Sequence, residues 1–386
     1  MIGFFRFLLA IVVCAIPGTT FALAHKTQTL KLIVNVPAHT PPGSQFYFTG
    51  GHETGCNWQP NCLPLKIVDA AGLSYGIELN LAGKQQSIQF KITRGSWETE
   101  AGDTKGDPLP NQTLKLSGSS TLSVFSVLTW KDLGGLGVVG DIIDLGLINS
   151  PQLHNSRRVT VLVPPSYAHD SRRRYPVIYM HDGQNLFDPA TSAYGVDWGF
   201  GRTMHRMAHE TGLEAIVVGV DSVITDPDTR EEEYDYACKG ADYAKFLIET
   251  LKPMIDSIFR THPDRASTFT GGASMGATIA VDLVWAHPEV FSKALAFSLP
   301  VSVHANSVIQ LVNTLPKPRQ PIQIYVDHGG VGEDVDYKQG VVDFVAAVKN
   351  QGITNQQIVY AEFPYHDHTE ADWGRRLEWP LKWILK

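Results

Sequence analysis

The first hundred residues after the N-terminal segment alternate apolar and polar positions over short runs. From Thr29 to about Trp130 six such runs follow one another between turn residues: LKLIVNV, SQFYFTG, YGIELNL, SIQFKIT, QTLKLSG and LSVFSVL. Period-two alternation places the apolar side chains on one face of a strand, and no segment of helical periodicity interrupts the series. The pattern predicts a small antiparallel β-sandwich over residues 25–130.

From Arg158 onward the pattern changes in kind. Uniformly apolar runs such as YPVIYM and AIVVGV alternate with longer amphipathic segments, of which the clearest are ADYAKFLIETLKPMIDSIF, MGATIAVDLVWAH and YKQGVVDFVAAVKNQ. Strands that are apolar on both faces are typical of a parallel sheet covered by helices on both sides. The sequence therefore predicts an α/β domain over residues 153–386, with a linker and first-strand region over residues 131–152. Catalytic loops in such a sheet lie at the carboxyl ends of the strands.

The chain opens with an apolar run that holds one Arg and ends in Ala-Leu-Ala, the small-residue pattern that signal peptidase recognises. We expect residues 1–24 to be a signal peptide and the mature protein to be secreted or periplasmic. An uncleaved membrane anchor is the alternative, but Pro17 and Gly18 interrupt the run short of the roughly 20 residues that a spanning helix needs. No later segment is long and apolar enough to span a bilayer, so we expect no membrane association after cleavage.

Charge and cysteine content narrow the range of partners. Without the leader the chain carries 31 basic and 39 acidic residues, and the absence of a basic run argues against a nucleic-acid partner. Cys56 and Cys62 lie close together in a stretch rich in Gly, Pro and Asn and suit a disulfide in an export compartment. Cys238 is then left over, and the odd count leaves open that all three stay reduced. No CxxC occurs, and we expect neither a metal nor a cofactor.

The sharpest chemical signal is a GxSxG sequence, Gly272-Ala273-Ser274-Met275-Gly276, between the apolar run STFTG and the amphipathic segment MGATIAVDLVWAH. A strained strand-to-helix turn exposes a serine hydroxyl above the sheet, and the small residues at both ends let the chain turn without a clash. This context predicts Ser274 as a nucleophile. A serine that only caps a Gly-rich helix start is the alternative.

A serine hydroxyl is a weak nucleophile unless a general base, itself oriented by a carboxylate, lies within hydrogen-bond reach. After the run IQIYVDHG an acidic loop offers Asp334 as the acid, with Asp336 and Glu333 as rivals. After the run IVYAEFP two histidines compete, His366 and His368, and we assign His368 as the base. The two histidines could share a metal, but a third ligand of convincing spacing is missing.

The tetrahedral intermediate of acyl transfer needs backbone N–H donors for its negative oxygen. One is expected from Met275, the residue after the nucleophile, and one from the loop after an early strand. The loop from His181 to Asn185 follows YPVIYM, with Gln184 as the more favoured donor and Gly183 as the residue that permits close approach. An ordinary turn between strand and helix is the alternative for this loop.

These segments together resemble the putative-esterase family of α/β-hydrolases, which includes enterochelin-esterase-like and esterase D-like enzymes. The resemblance covers roughly residues 150–386 and is carried by YPVIYMHDGQNLFD, FTGGASMGATIAVDLVWAHPEVFSKALAFS, DHGGVGEDVDY and HDHTEADWGRRL. It implies an α/β-hydrolase fold and a triad formed by Ser274, Asp334 and His368. Trp373 occupies the place of a Trp that usually follows the base in this family.

The N-terminal region is similar to a starch-binding module of the carbohydrate-binding kind, on the residues FYFTGGHETGCNWQPNCLPL and IQFKITRGSWETEAGDTKGDPLPNQTL. The resemblance implies sugar contacts from Trp58, Lys91, Trp97 and Asn111, because flat aromatic faces stack on the C–H side of a sugar ring. The alternative is that both tryptophans pack within the sandwich and the module only buttresses the enzyme.

The sequence thus predicts a secreted serine esterase that cleaves a carbohydrate-, siderophore- or aryl-linked acyl ester through an acyl-enzyme. Its expected partners are this ester substrate and a starch-like glycan at the N-terminal domain. Two alternatives stay open. The enzyme could transfer the acyl group to a sugar or lipid acceptor, or the protein could be a glycan-binding protein without catalytic activity.

Overall fold

A β-sandwich forms the N-terminal part of the protein, seen in a computed structural model that describes residues 27–81, 85–223, 229–301 and 307–386. The expected signal peptide lies outside these described residues. The strands of the sandwich region are β1 (Gln28–Asn35), β2 (Tyr47–Gly50), β3 (Leu63–Pro64), β4 (Lys66–Ile67), β5 (Ser74–Leu81), β6 (Ser87–Thr93), β7 (Ala101–Gly102), β8 (Gln112–Lys115), β9 (Ser120–Ser126) and β10 (Thr129–Trp130). One sheet has the order β4-β5-β1-β9 and the other β3-β2-β6-β8, while β7 and β10 pair with each other.

The pairing of β1 with β9 differs from the antiparallel prediction. Its two strands run parallel, from Thr29 opposite Ser120 to Asn35 opposite Ser126, whereas β1 and β5 are antiparallel. The chain reaches β9 from β8, which belongs to the other sheet, so β1 and β9 are not joined by a hairpin. Alternation specifies which face of a strand is buried but carries no information on strand direction, and the prediction was wrong for this pair.

The second part of the chain is built on one eight-stranded sheet of order β11-β12-β14-β13-β15-β16-β17-β18. Its strands are β11 (Asp141–Ser150), β12 (Asn155–Val163), β13 (Val177–His181), β14 (Ile216–Val220), β15 (Thr268–Ala273), β16 (Lys293–Phe297), β17 (Gln323–Gly329) and β18 (Ile358–Phe363). Strands β13 to β18 pair with one another in parallel, while β12 is antiparallel to both β11 and β14. The first strand, β11, therefore comes from the Gly-rich region before Gln152.

Helices cover both faces of this sheet. They are α1 (Phe200–Thr211), α2 (Thr229–Glu233), α3 (Ala241–Lys245), α4 (Lys252–Ile258), α5 (Met275–Ala286), α6 (Ser307–Thr314), α7 (Lys338–Asn350), α8 (Glu370–Arg376) and α9 (Glu378–Ile384). Successive residues of a strand point to opposite faces, so β13 sends Tyr179 into one core with α5 and α7, and Met180 into the other with α1 and α9. This is the predicted α/β-hydrolase arrangement. None of the helices in the described residues has the length and apolar content to cross a bilayer.

Candidate active site

Ser274 lies in the turn between β15 and α5, with φ 56° and ψ −131°. A non-glycine residue with positive φ is strained, which is expected for a serine presented on a strand-to-helix turn. The turn leaves no room for larger neighbours, because a Cβ atom on Gly272 would lie 2.7 Å from the carbonyl carbon of Gly276. The Ser274 N–H donates a hydrogen bond of 3.0 Å to the carbonyl of Phe297, at the end of β16. This bond fixes the turn against the neighbouring strand.

Asp334 and His368 form a hydrogen-bonded pair in the loops after β17 and β18. Asp334 follows β17 in a short 3-10 turn, and its Oδ1 lies 2.7 Å from Nδ1 of His368, which follows β18. An ionised carboxylate accepts hydrogen bonds only, so Nδ1 must carry the proton and Nε2 is left as the basic nitrogen. Neither Nε2 nor the Ser274 hydroxyl hydrogen-bonds to any described residue, which leaves both atoms available to a substrate.

The second carboxylate oxygen of Asp334 is held by buried donors. It accepts from the Ser298 hydroxyl at 2.5 Å and from the Gly329 N–H at 2.6 Å, and Nη2 of Arg376 lies 3.4 Å away. Burial by itself would raise the pKa of Asp334. The hydrogen bond from His368, the Arg376 charge and the Ser298 hydroxyl together outweigh burial and lower this pKa to about 2. Asp334 is therefore ionised near neutral pH.

Arg376 is the centre of the network behind Asp334. Its guanidinium is fully buried, with Nε 3.2 Å from Asp327 Oδ2 and Nη2 2.6 Å from the Ser298 hydroxyl. Asp327 in turn accepts from the Tyr325 hydroxyl at 2.6 Å and from the Ser298 N–H at 2.8 Å. Two carboxylates thus share one cation in a site without water access, which restrains the position of the acid that orients His368.

The structure distinguishes the residues between which the sequence left a choice. Asp336 is exposed, Glu333 accepts from the Tyr337 hydroxyl at 2.7 Å, and of the three acids in the described loop only Asp334 contacts His368. His366 is fully buried against the ring of Phe363, and neither of its ring nitrogens has a hydrogen-bond partner among the described residues. Burial lowers the pKa of His366 to about 3, so it is a neutral packing residue.

The loop after β13 lies beside the Ser274 turn. A Cβ atom on Gly276 would lie 3.2 Å from Oδ2 of Asp182, which itself has a left-handed φ of 57°. Arg230 holds Asp182 in place with two hydrogen bonds, Nε to Oδ1 at 2.8 Å and Nη2 to Oδ2 at 2.7 Å. Burial would raise the pKa of Asp182, but the Arg230 charge and hydrogen bonds more than compensate and lower it. This ion pair fixes the left-handed start of the loop.

Gln184 and Gly183 follow Asp182 and were predicted to serve the oxyanion. The side chain of Gln184 is already engaged, because its Nε2 donates to the Ser222 hydroxyl at 2.9 Å and its Oε1 accepts from the Ser222 N–H at 3.1 Å. Only its backbone N–H can serve the oxyanion. Gly183 approaches β14, since a Cβ atom there would lie 2.5 Å from the carbonyl carbon of Gly219. The close approach that this glycine permits is therefore to the neighbouring strand.

Met275 is the other residue with a predicted oxyanion contact. As the first residue of α5 its N–H has no acceptor within the helix, and such N–H groups are suited to developing negative charge. The buried Glu370 connects the two sides of the site, because its Oε1 accepts from Nδ2 of Asn185 at 3.2 Å and it opens α8 two residues after His368.

Several residues of the site escaped prediction, most of them charged. They are Asp182, Arg230, Ser298, Asp327, Glu370 and Arg376. One signal was present in the sequence: Asp327 interrupts an otherwise apolar strand, and a buried carboxylate requires a cation or several donors. Its partner Arg376 is 49 positions further along the chain, and no spacing rule connects the two.

The four residues with an implied sugar-binding role lie on and beside the sheet β3-β2-β6-β8. Lys91 faces away from the sandwich core, with its ammonium 5.9 Å from the ring centroid of Trp97 and 2.5 Å from a Glu100 carboxylate oxygen. Trp58 is half-buried on Gly51, and Asn111 is exposed immediately before β8. In the described part of the chain the two tryptophan rings do not contact each other. The cluster is open and only partly assembled.

A disulfide closes the turn that carries Trp58. Cys56 and Cys62 are bonded, and Cys238 is an exposed free cysteine. Among the described residues no group of three or more His, Cys, Asp or Glu side chains is arranged to hold a metal ion.

The second region of the chain matches a family of known proteins. The model of a family described as "Putative esterase" matches residues 150–383. The ferri-bacillibactin esterase BesA of Bacillus subtilis (strain 168) is 24% identical over 226 residues, which are 50% of this chain and 73% of that protein. An α-amylase of Niallia circulans is 32% identical over 107 residues, 28% of this chain. The chain spans only 8% of the length of that amylase.

The similarity to solved structures extends over both regions. The enterobactin esterase of Shigella flexneri superposes with a TM-score of 0.53 at 14% identity and covers 92% of each chain. At this level of identity the superposition establishes the fold, and it includes the N-terminal region as well as the eight-stranded sheet.

Proposed function

The chain belongs to the putative-esterase family of α/β-hydrolases, and we propose that it is a secreted serine esterase that hydrolyses a carboxylic ester through an acyl-enzyme on Ser274. The observation that carries the proposal is the arrangement at the ends of β15, β17 and β18. A strained serine, a buried ionised acid and a histidine with a free ring nitrogen follow one another in the order that is usual for the α/β-hydrolase fold.

In the proposed acylation, the Ser274 hydroxyl attacks the ester carbonyl while His368 Nε2 accepts its proton. Asp334 holds the imidazole in the tautomer with the proton on Nδ1 and stabilises the imidazolium that forms. The backbone N–H groups of Met275 and Gln184 donate to the oxyanion. The tetrahedral intermediate then collapses, His368 returns the proton to the departing alcohol oxygen, and the acyl group stays on Ser274.

Deacylation repeats these steps with water as the nucleophile. His368 Nε2 removes a proton from water, the resulting hydroxide attacks the acyl carbonyl, and Ser274 leaves with the proton returned by His368. The products are a carboxylic acid and an alcohol, and the protein is unchanged. No group outside the chain is needed to balance either step.

The proposed location and substrate range rest on the disulfide and on the similar proteins. The Cys56–Cys62 disulfide suits an oxidising compartment and agrees with the expected signal peptide. Relatives named for ferri-bacillibactin and enterobactin suggest a siderophore-type or aryl-linked ester. The similarity to part of an α-amylase supports a glycan-binding role in this chain and therefore a carbohydrate-linked ester.

Hydrolysis of 4-nitrophenyl acetate by Ser274→Ala tests the proposal. We expect kcat/KM to fall by about 10³-fold or more, because the nucleophile is removed. Ser257→Ala, an exposed hydroxyl on α4, is the matched control and should retain full activity. A fluorophosphonate should add once to the native protein, on the peptide that contains Ser274. Undiminished activity in Ser274→Ala would overturn the proposed mechanism.

A further inference from the structure

The edge of the β-sandwich lies next to the catalytic histidine. A cavity of about 530 Å³ opens between the two regions of the protein, with His368 on its wall. On the sandwich side it is lined by Val124 and Ser126 of β9 and by Leu128, which follows that strand. A cavity of this size is typical of a small-molecule site. Part of its wall therefore comes from outside the eight-stranded sheet.

Two buried contacts hold this wall in a fixed position. Asn35, at the end of β1, donates from Nδ2 to the carbonyl of Tyr365 at 2.7 Å, three residues before His368. Arg375 of α8 donates from Nη2 to the carbonyl of Val127 at 2.6 Å. Both side chains are buried, so separation of the two regions would leave polar groups without partners. These contacts tie the sandwich side of the cavity to the segments that flank His368.

The lining indicates the chemistry of the group that would fill the cavity. Apolar side chains form the larger part of its lining, including Val124, Leu128, Val196 and the 82% exposed ring of Tyr194. Its charged side chains are acidic, and neither Lys nor Arg lines it. An anionic group would be repelled and would find no cation, whereas an uncharged aromatic group can pack on the valines and on the tyrosine ring.

The position of His368 indicates which half of the ester enters. During acylation His368 returns its proton to the departing alcohol oxygen, so the alcohol half of the substrate must lie on the histidine side of the scissile bond. The cavity is lined by His368 and not by Ser274, so it extends from the histidine side of the site. We propose that β9 and Leu128 of the sandwich form the leaving-group pocket of the esterase, and that this pocket selects esters of uncharged, ring-containing alcohols. This inference rests on the proposed function.

The test compares two substrate series in the full mature chain. The acyl group is kept as acetyl while the alcohol changes from methanol to 2-naphthol, and the alcohol is kept as 4-nitrophenol while the acyl group changes from acetyl to butyryl. Val124→Trp fills the pocket from the sandwich side. We expect it to lower kcat/KM for 2-naphthyl acetate relative to methyl acetate by about tenfold or more, with the butyrate-to-acetate ratio unchanged.

Leu122→Trp is the matched control. Leu122 lies on the same strand and the same face, two residues before Val124, but it is 59% exposed and does not line the cavity. It should leave both ratios unchanged. Leu128→Ala, which adds no bulk, should weaken the preference for the naphthyl ester several-fold and keeps the test available if Val124→Trp does not fold.

Each outcome separates this inference from the proposed function. Equal ratios in Val124→Trp, Leu128→Ala and the control would overturn the inference, although Ser274→Ala would still abolish activity. A changed acyl ratio with a constant alcohol ratio would also overturn it, because the cavity would then hold the acyl half. Full activity of Ser274→Ala would remove the proposed function on which the inference rests.

Discussion

The site at the ends of the parallel strands and the aromatic cluster on the sandwich are built in opposite ways. Asp334 and Arg376 are fully buried, and each has several charged or hydrogen-bonding partners. On the sandwich, Asn111 is exposed, Trp97 is half-exposed, and Lys91 has one carboxylate partner. A buried charge costs several kcal/mol unless it is paired, so the groups of a buried network are closely restrained. An open cluster can adjust at little cost.

This difference predicts that substitutions in the two regions will have effects of very different size. In the closed network the loss of one group leaves other groups buried without partners. Both the rate of hydrolysis and the free energy of unfolding should then decrease. In the open cluster a side chain can be removed without leaving an unpaired buried charge. Only the affinity for a ligand at that surface should then decrease. Three substitution pairs examine the contrast, in order of decreasing effect.

The largest effect is expected for Asp334→Asn. The amide cannot hold the proton on His368 Nδ1 in the way an ionised carboxylate does, so kcat/KM for 4-nitrophenyl acetate should fall by about 10²- to 10⁴-fold. Asp336→Asn, two residues away and exposed, should retain activity within about twofold. If Asp336→Asn alone is impaired, the acid has been misassigned.

A smaller effect, on stability, is expected for Arg376→Met. The substitution leaves Asp327 and Asp334 buried without their shared cation, and the free energy of unfolding should fall by about 3–5 kcal/mol. Arg206→Met breaks a partly exposed ion pair with Glu378 and should cost about 0–1 kcal/mol. Urea denaturation followed by circular dichroism measures both.

A double variant tests whether the lost stability comes from unpaired charge. Asp327→Asn in the Arg376→Met background removes one of the two carboxylates that are left buried without a cation. Part of the lost free energy of unfolding should therefore return. Equal losses for Arg376→Met and Arg206→Met would show that burial does not distinguish the two ion pairs.

The smallest effect on catalysis is expected for Trp97→Ala on the sandwich. Hydrolysis of 4-nitrophenyl acetate should stay within about twofold of the unmodified protein, because this ring has no contact with the buried network. If the cluster binds a starch-like glycan, affinity for amylose should weaken about five- to tenfold, as for an aromatic anchor. Trp379→Ala, an exposed Trp on α9, is the control. Unchanged amylose affinity in Trp97→Ala would count against a sugar site at this cluster.

The sequence predicted the candidate triad residues but not the network of side chains around them. Ser274 could be singled out because a local strand-turn-helix pattern surrounds it, and Asp334 and His368 because each follows a recognisable strand. Arg230 pairs with Asp182 across 48 positions and Arg376 with Asp327 across 49, and no local pattern records such distances. The parallel pairing of β1 with β9 was missed for the same reason, because alternation describes one strand at a time.

The sequence by itself determined most of the strands, the most strongly periodic helices, the order of the two regions, and the strands after which the candidate serine, acids and histidines stand. These properties depend on neighbours within about a dozen residues, through periodicity and turn chemistry. Only the tertiary structure decided that Asp334 rather than Asp336 meets His368, that one arginine is shared by two buried carboxylates, and that the sandwich edge closes a cavity at His368. Each depends on the packing of segments far apart in the chain, where burial and charge compensation select a single arrangement.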